Sequence, residues 1–233
     1  MENRKELVVA KLQNSVATLQ RVMQEEALLT ALVAAAEVTG QAILDGRKLM
    51  IAGNGGSAAD AQHLAAEFVS RLTVDRPAMR ALALTTDTSA LTAIGNDYSY
   101  DNVFERQIEA LGQKGDVFLG ISTSGNSKNI LKALELSRKM RIATIGFSGR
   151  AGGKMPPLCD YNVIVPSEIT ANIQESHLAL EHIFCHLVEP YITASEPQPL
   201  TDGIVETTLK MVVDYLRPFY AQYVRDELRP RAA

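Results

Sequence analysis

One pattern constrains this chain more than any other. A short apolar run, then a turn or loop, then a helical pattern, recurs along most of its length. Residues 48–52 (KLMIA) form the first run, and Gly53-Asn54-Gly55-Gly56-Ser57 follows as its turn. Similar runs are expected as strands at 80–84, 116–121, 141–147 and 161–165. Helical spacing fills the gaps over 57–71, 89–94, 103–111 and 127–140, and a long helix is expected over 171–192. Strands that alternate with helices cannot pair as hairpins. They form a parallel sheet whose two faces are covered by helices. The expected class is α/β, a three-layer sandwich around a five-stranded parallel sheet. Two helices precede the first strand. One carries Leu7, Val8, Leu12, Val16, Leu19 and Met23 at helical spacing, and the other spans 26–45 and stops at Gly46. Their expected role is packing, including packing between subunits.

Ser195-Glu196-Pro197-Gln198-Pro199 reads as a linker. Beyond it Leu209, Val212, Val213, Leu216, Phe219, Tyr220 and Tyr223 recur with amphipathic spacing, and Pro218 should kink or break that helix. The expected division is a domain over 1–194 and a linker with a helical extension over 195–233.

Composition excludes several function classes. The formal net charge is −4, so no basic surplus favours nucleic acid. The chain has no Trp and few other aromatics to stack on bases. Cys159 and Cys185 form neither a disulfide framework nor a CxxC pair, which fits reduced thiols in the cytoplasm. The polar N-terminus does not resemble a signal peptide. No apolar run is expected to reach the roughly 18 residues of a membrane span, so no membrane partner is expected.

Two loops at strand ends carry chemical information. In Gly53-Asn54-Gly55-Gly56-Ser57 the glycines permit positive φ and a close backbone approach to a ligand. Ser57 can cap the next helix or donate to an anion there. Ser122-Thr123-Ser124-Gly125-Asn126-Ser127 offers four hydroxyls at the start of a helix. Convergent donors and the positive end of a helix dipole suit a phosphate. The loop contains no Lys or Arg and no Walker pattern, so a monophosphate fits better than a nucleoside triphosphate.

The candidates for chemistry are few. His63 and Glu67 lie four apart on one helix and share a face. They could bind a metal, move protons, or do both. The last long helix carries Gln174, Glu175, His177, Glu181, His182 and His186. Spacing makes His182 with His186 the obvious metal pair. Gln174 and His182 lie about 80° apart around the helix and can also share a broad face. Spacing does not choose between these pairs, and a structural role is the expectation for His177 and for His186.

Together GNGGSAADAQHLAAEF from Gly53, AIGNDYSYDNVF from Ala93, GDVFLGISTSGNS from Gly115 and IQESHLALEHI from Ile173 resemble the sedoheptulose 7-phosphate isomerase (phosphoheptose isomerase) family, of the sugar-isomerase (SIS) fold. The resemblance covers residues 7–190. It implies a homotetramer with active sites at subunit interfaces. It implies zinc held by His63, Glu67, Gln174 and His182, which favours Gln174 over His186. It also implies substrate contacts at Asn54, Gly55, Gly56, Ser57, Glu67, Asn96, Asp97, Ser122, Thr123, Ser124, Ser127 and Gln174. The implied catalytic residues are Glu67 and His182. The implied reaction converts D-sedoheptulose 7-phosphate to D-glycero-D-manno-heptose 7-phosphate through an enediol, for nucleotide-heptose and surface polysaccharide synthesis. One departure is Asn172, where the family commonly has Arg. Two alternatives stand beside this reading. One is a non-catalytic SIS protein that binds the bacterial replication initiator, and the other is an isomerase of a different sugar phosphate. A sugar-sensing transcription regulator fits least, since no helix-turn-helix region precedes the sheet.

Overall fold

The structure, a computed structural model, describes residues 4–193. All of them belong to one unit, Met1–Gln198. The linker and helical extension expected over 195–233 lie outside the described residues.

Two helices come first, α1 (Arg4–Val22) and α2 (Glu26–Leu44). The alternating part follows as β1 (Leu49–Ala52), α3 (Gly56–Val69), β2 (Ala81–Ala83), α4 (Thr88–Asp97), α5 (Glu105–Leu111), β3 (Val117–Ser122), α6 (Lys128–Lys139), β4 (Ala143–Gly149), β5 (Tyr161–Val165) and α7 (Thr170–Thr193). The five strands are all parallel, in the order β2-β1-β3-β4-β5. Every residue of β1 and β3 is buried. This is why their sequences are continuous apolar runs rather than alternating ones.

Where elements begin and end differs from the sequence reading by a residue or two, with identifiable causes. β4 starts at Ala143 rather than residue 141 because Arg141 adopts φ +60 and closes the end of α6. Its carbonyl accepts from Gly115 N–H, which ties that turn to the loop before β3. α4 starts at Thr88 because the Asp87 side chain accepts from Ala90 N–H and caps it. Two 3₁₀ turns, Tyr100–Asn102 and Pro156–Leu158, were not expected.

The core joins the layers through aromatic rings. Phe184 on α7 lies 5.8 Å from the Phe68 ring on α3 and 6.4 Å from Phe147 on β4. Each buried Phe of this kind contributes about 1.5–3 kcal/mol of apolar burial. At the opposite end of β1 and β3, Lys48 Nζ lies 2.6 Å from the buried Asp116 carboxylate.

One expectation needs correction. α2 spans 19 residues with a mean hydropathy of 1.7, so it does have the length and composition of a membrane span. It packs on β5 and α7, with Leu28, Leu32, Ala35, Ala36 and Ile43 buried. Its apolarity is thus that of a core helix, and one such helix is weak ground for a membrane. α1 is different. Leu7, Val8, Val9, Leu12 and Val16 are all exposed on it.

Candidate active site and metal centre

The strand order reverses between β1 and β3, with β2 added on one side of β1 and β3, β4 and β5 on the other. In open α/β sheets that reversal opens a crevice beyond the carboxyl ends of the two strands, and ligands bind there. The two loops singled out from the sequence border this crevice, since one leaves β1 and the other leaves β3.

The loop after β3 is pre-shaped. Ser122 is the last residue of β3, and its Oγ lies 2.9 Å from Ser127 Oγ across the turn. Gly125 N–H donates to Ser122 O, and Gly125 holds φ +65. A side chain at Gly125 would meet Gly152 O at 1.9 Å, so this glycine is required both by its φ and by the approach of the loop after β4. Lys154 N–H donates to Gly125 O and fastens the two loops together. Ser127 is the N-cap of α6 but makes no side-chain cap bond, so the helix N-terminus stays open to an anion.

The loop after β1 is tied to this one by an amide pair. Asn54 Nδ2 donates to Asn129 Oδ1 at 2.9 Å, and Asn129 Nδ2 donates back to Asn54 Oδ1 at 2.8 Å. Tyr100 OH donates to the same Asn54 oxygen at 3.1 Å. Gly55 has φ +57, and a side chain at Gly56 would meet the Gln174 amide at 2.3 Å. The third glycine of the turn, Gly56, therefore makes room for Gln174 of α7.

The chemistry-bearing groups meet where α3 and α7 pack. His63 Nε2 and His182 Nε2 lie 2.7 Å apart, the distance of a ring-to-ring hydrogen bond. Glu67 Oε1 lies 3.7 Å from His63 Nε2. One donor atom from each of His63, Glu67 and His182 falls within 4.8 Å of the others. Two imidazoles and a carboxylate at this spacing fit a zinc-type ion that keeps a position open for a ligand. Burial, aided by the charge of His63 and opposed by Glu67, lowers the His182 pKa. The neutral ring is the form that binds a metal.

Gln174 donates through Nε2 to both oxygens of Asp60, at 3.2 and 3.0 Å. Asp60 lies one turn before His63 on α3. Burial raises the Asp60 pKa despite that hydrogen bond. Glu181 is fully buried, and neither of its carboxyl oxygens has a protein partner among the described residues. Burial and then the Asp60 charge push it up to about 8, so it is mostly neutral at pH 7.

Of the other expected residues, Asn96 donates to Asp97 at 2.8 Å, and both are exposed at the end of α4. Neither hydrogen-bonds to the two loops. Asp97 lines the groove between α4 and α5 with Tyr98 and Arg106. His186, which spacing suggested as the partner of His182, is not among the residues of this cluster. His177 is buried with its Nε2 2.9 Å from Ser148 O, a structural placement. Asn172 is buried, and its Nδ2 donates to Ser15 Oγ, which donates to Glu175. It thus links α1 to α7. Sequence reasoning missed Asp60, Asn129 and Tyr100. Asn129 had a usable signal, since it stands in the first turn of α6 immediately after the hydroxyl loop.

Comparison with known proteins agrees with this geometry. The SIS domain family matches residues 12–149. Phosphoheptose isomerase 2 of Campylobacter jejuni is 53% identical over 81% of this chain and 94% of its own length. The phosphoheptose isomerase of Aneurinibacillus thermoaerophilus is 51% identical over 79% and 93%. Among solved structures, the phosphoheptose isomerase of Neisseria gonorrhoeae superposes with a TM-score of 0.75 at 43% identity, covering 80% of this chain and 99% of that one. The chain belongs to the phosphoheptose isomerase family of SIS-domain enzymes.

Proposed function

We propose that this isomerase converts D-sedoheptulose 7-phosphate to D-glycero-D-manno-heptose 7-phosphate and requires zinc. The observation that carries the reading is the meeting of His63, Glu67 and His182 between α3 and α7, in a chain whose hydroxyl loop borders the sheet's crevice. A binding module would need the loop alone. The family relationship sets aside the non-catalytic reading tied to a replication initiator.

The phosphate is held by the hydroxyls of Ser122, Thr123, Ser124 and Ser127 and by the open N-terminus of α6. Asn54, Gly55, Gly56 and Ser57 border the same crevice and contact the sugar, and Asn96 and Asp97 complete the expected substrate contacts. Ketose-to-aldose conversion moves a proton between C1 and C2 through an enediol. Glu67 takes the proton from one carbon, and His182 is the partner acid/base. His63, Glu67, Gln174 and His182 would hold the zinc, and Asp60 orients the Gln174 amide so that its oxygen is the free end. The chemistry supplied by zinc at this site would be Lewis-acid polarisation of the carbonyl and hydroxyl oxygens.

The exposed apolar residues Leu7, Val8, Val9, Leu12 and Val16 of α1 support the expected homotetramer with active sites at subunit interfaces. Cys159 and Cys185 are both free, in keeping with a cytoplasmic enzyme. The product would feed nucleotide-heptose and surface polysaccharide synthesis. Purified protein incubated with sedoheptulose 7-phosphate and zinc should yield the aldose. Turnover of another sugar phosphate, with none of this one, would reassign the substrate.

A further inference from the structure

The metal ligands come from two helices, so something must fix how those helices sit against each other. Arg76 lies in the connection from α3 to β2, and its side chain is 0% exposed. Its guanidinium spans the end of α3. Nη2 donates to Glu67 O at 2.7 Å, and Nη1 donates to Phe68 O at 2.9 Å and to Ser70 O at 3.4 Å. These are carbonyls that a helix C-terminus leaves without partners, where a positive charge is favoured. Nε donates to Glu189 Oε1 of α7 at 3.2 Å, and the Glu189 side chain is 3% exposed. Glu189 also accepts from Leu72 N–H, Thr73 N–H and Thr73 Oγ1.

The placement of this pair is what matters. Glu189 stands seven residues beyond His182 on α7. Two turns separate them, about 10 Å along the axis and on the same face. On α3, Glu67 belongs to both structures. Its side chain stands in the metal cluster while its carbonyl is held by Arg76. Sliding or turning either helix would break the ion pair and misplace a ligand together.

We propose that Arg76 and Glu189 are positioning residues for the metal centre, forming a buried clamp that sets the spacing of the ligand-bearing helices. The inference rests on the reading of His63, Glu67 and His182 as metal ligands. Removing one partner outright would strand a buried charge, so conservative changes are the informative ones. Arg76→Lys keeps the charge but loses the fork that spans four carbonyls, that of Pro77 included, and a carboxylate. Glu189→Asp keeps the charge and shortens the reach.

The test is the zinc affinity of the purified full chain, measured by competition with a chromogenic chelator, beside thermal unfolding without metal. Asp116→Asn serves as the control, because it disrupts a different ion pair, between β1 and β3, that touches neither ligand-bearing helix. Arg76→Lys and Glu189→Asp should each weaken zinc binding about 10–100-fold, the usual effect of losing a group that supports metal ligands. Excess zinc should restore kcat, with little change in KM. Asp116→Asn should lower the unfolding temperature and leave zinc affinity unchanged. The clamp would be refuted if either folded variant bound zinc as tightly as the wild type. It would equally be refuted if Asp116→Asn weakened zinc as much, because general loosening would then explain the loss. Wild-type protein that binds no zinc would sink the metal reading, and the clamp with it.

Discussion

The proposed phosphate end and the proposed metal end of the site are built differently. The phosphate end is one continuous loop whose donors are neighbours in sequence, from Ser122 to Ser127, braced by backbone contacts to the loop after β4. The metal end has no local sequence unit. His63 and His182 are 119 residues apart and meet only because α3 packs on α7. A loop of neutral donors should therefore tolerate the loss of one group, since its others remain. A three- or four-ligand metal cluster should not. The comparison predicts graded losses at one end and near-complete losses at the other.

The largest effect is expected at the metal end. Glu67→Gln should lower kcat by about 10²–10⁴-fold, the range for a general base, with circular dichroism unchanged. Retained activity would remove Glu67 from the mechanism. Next, Gly56→Ala should disturb the metal end from the loop after β1, because its methyl group would collide with the Gln174 amide. Zinc content by metal analysis should fall. Full zinc occupancy would show that Gln174 is dispensable as a ligand. His186→Ala should keep its zinc, since His186 stands outside the cluster.

At the phosphate end the losses should be smaller and fall on KM. Ser127→Ala removes one donor to a charged group, worth about 1.5–3 kcal/mol, so KM should rise about 10–100-fold with kcat nearly preserved. A collapse of kcat instead would break the division of labour between the two ends. Asn129→Ala should act more weakly and in the same direction, because it removes only the brace on Asn54.

The smallest effect concerns stability rather than turnover. His177 is buried beside the Phe147 ring, and burial lowers its pKa from 6.5 to about 4 despite its bond to Ser148 O. The unfolded chain binds this proton more readily, so its contribution is complete above about pH 6.5 and is lost as the pH falls toward 4. The acid loss from this group amounts to roughly 3 kcal/mol at most. In His177→Asn the unfolding temperature should depend less steeply on pH between 4 and 6.5. An unchanged slope would show that His177 binds its proton as readily in the folded protein as in the unfolded chain.

The same contrast explains what could be read from the sequence. The sheet was legible because two-sided burial writes itself as apolar runs, as in β1 and β3. The hydroxyl loop was legible because its parts are contiguous. The metal end was only half legible. His63 and Glu67 share a helical face, but spacing on α7 pointed to His186, and only family resemblance favoured Gln174. Helical periodicity records which residues share a face, not which helix lies opposite. For that reason Asp60, which meets Gln174 across the packing of α3 on α7, left no mark in the local pattern. The amide pair of Asn54 with Asn129 was hidden in the same way, by 75 residues of chain. Asn96 and Asp97 came from resemblance alone, and among the described residues their side chains hydrogen-bond only to each other.

The central claim is that His63, Glu67 and His182 form a metal centre that isomerises a phosphate-anchored heptose. The most direct measurement is product formation from sedoheptulose 7-phosphate by the purified full chain, first stripped of metal and then reloaded with zinc. The account predicts aldose product only after reloading, and almost none from Glu67→Gln at the same zinc occupancy. Undiminished turnover by the stripped enzyme, or none by the zinc-loaded one, would contradict it.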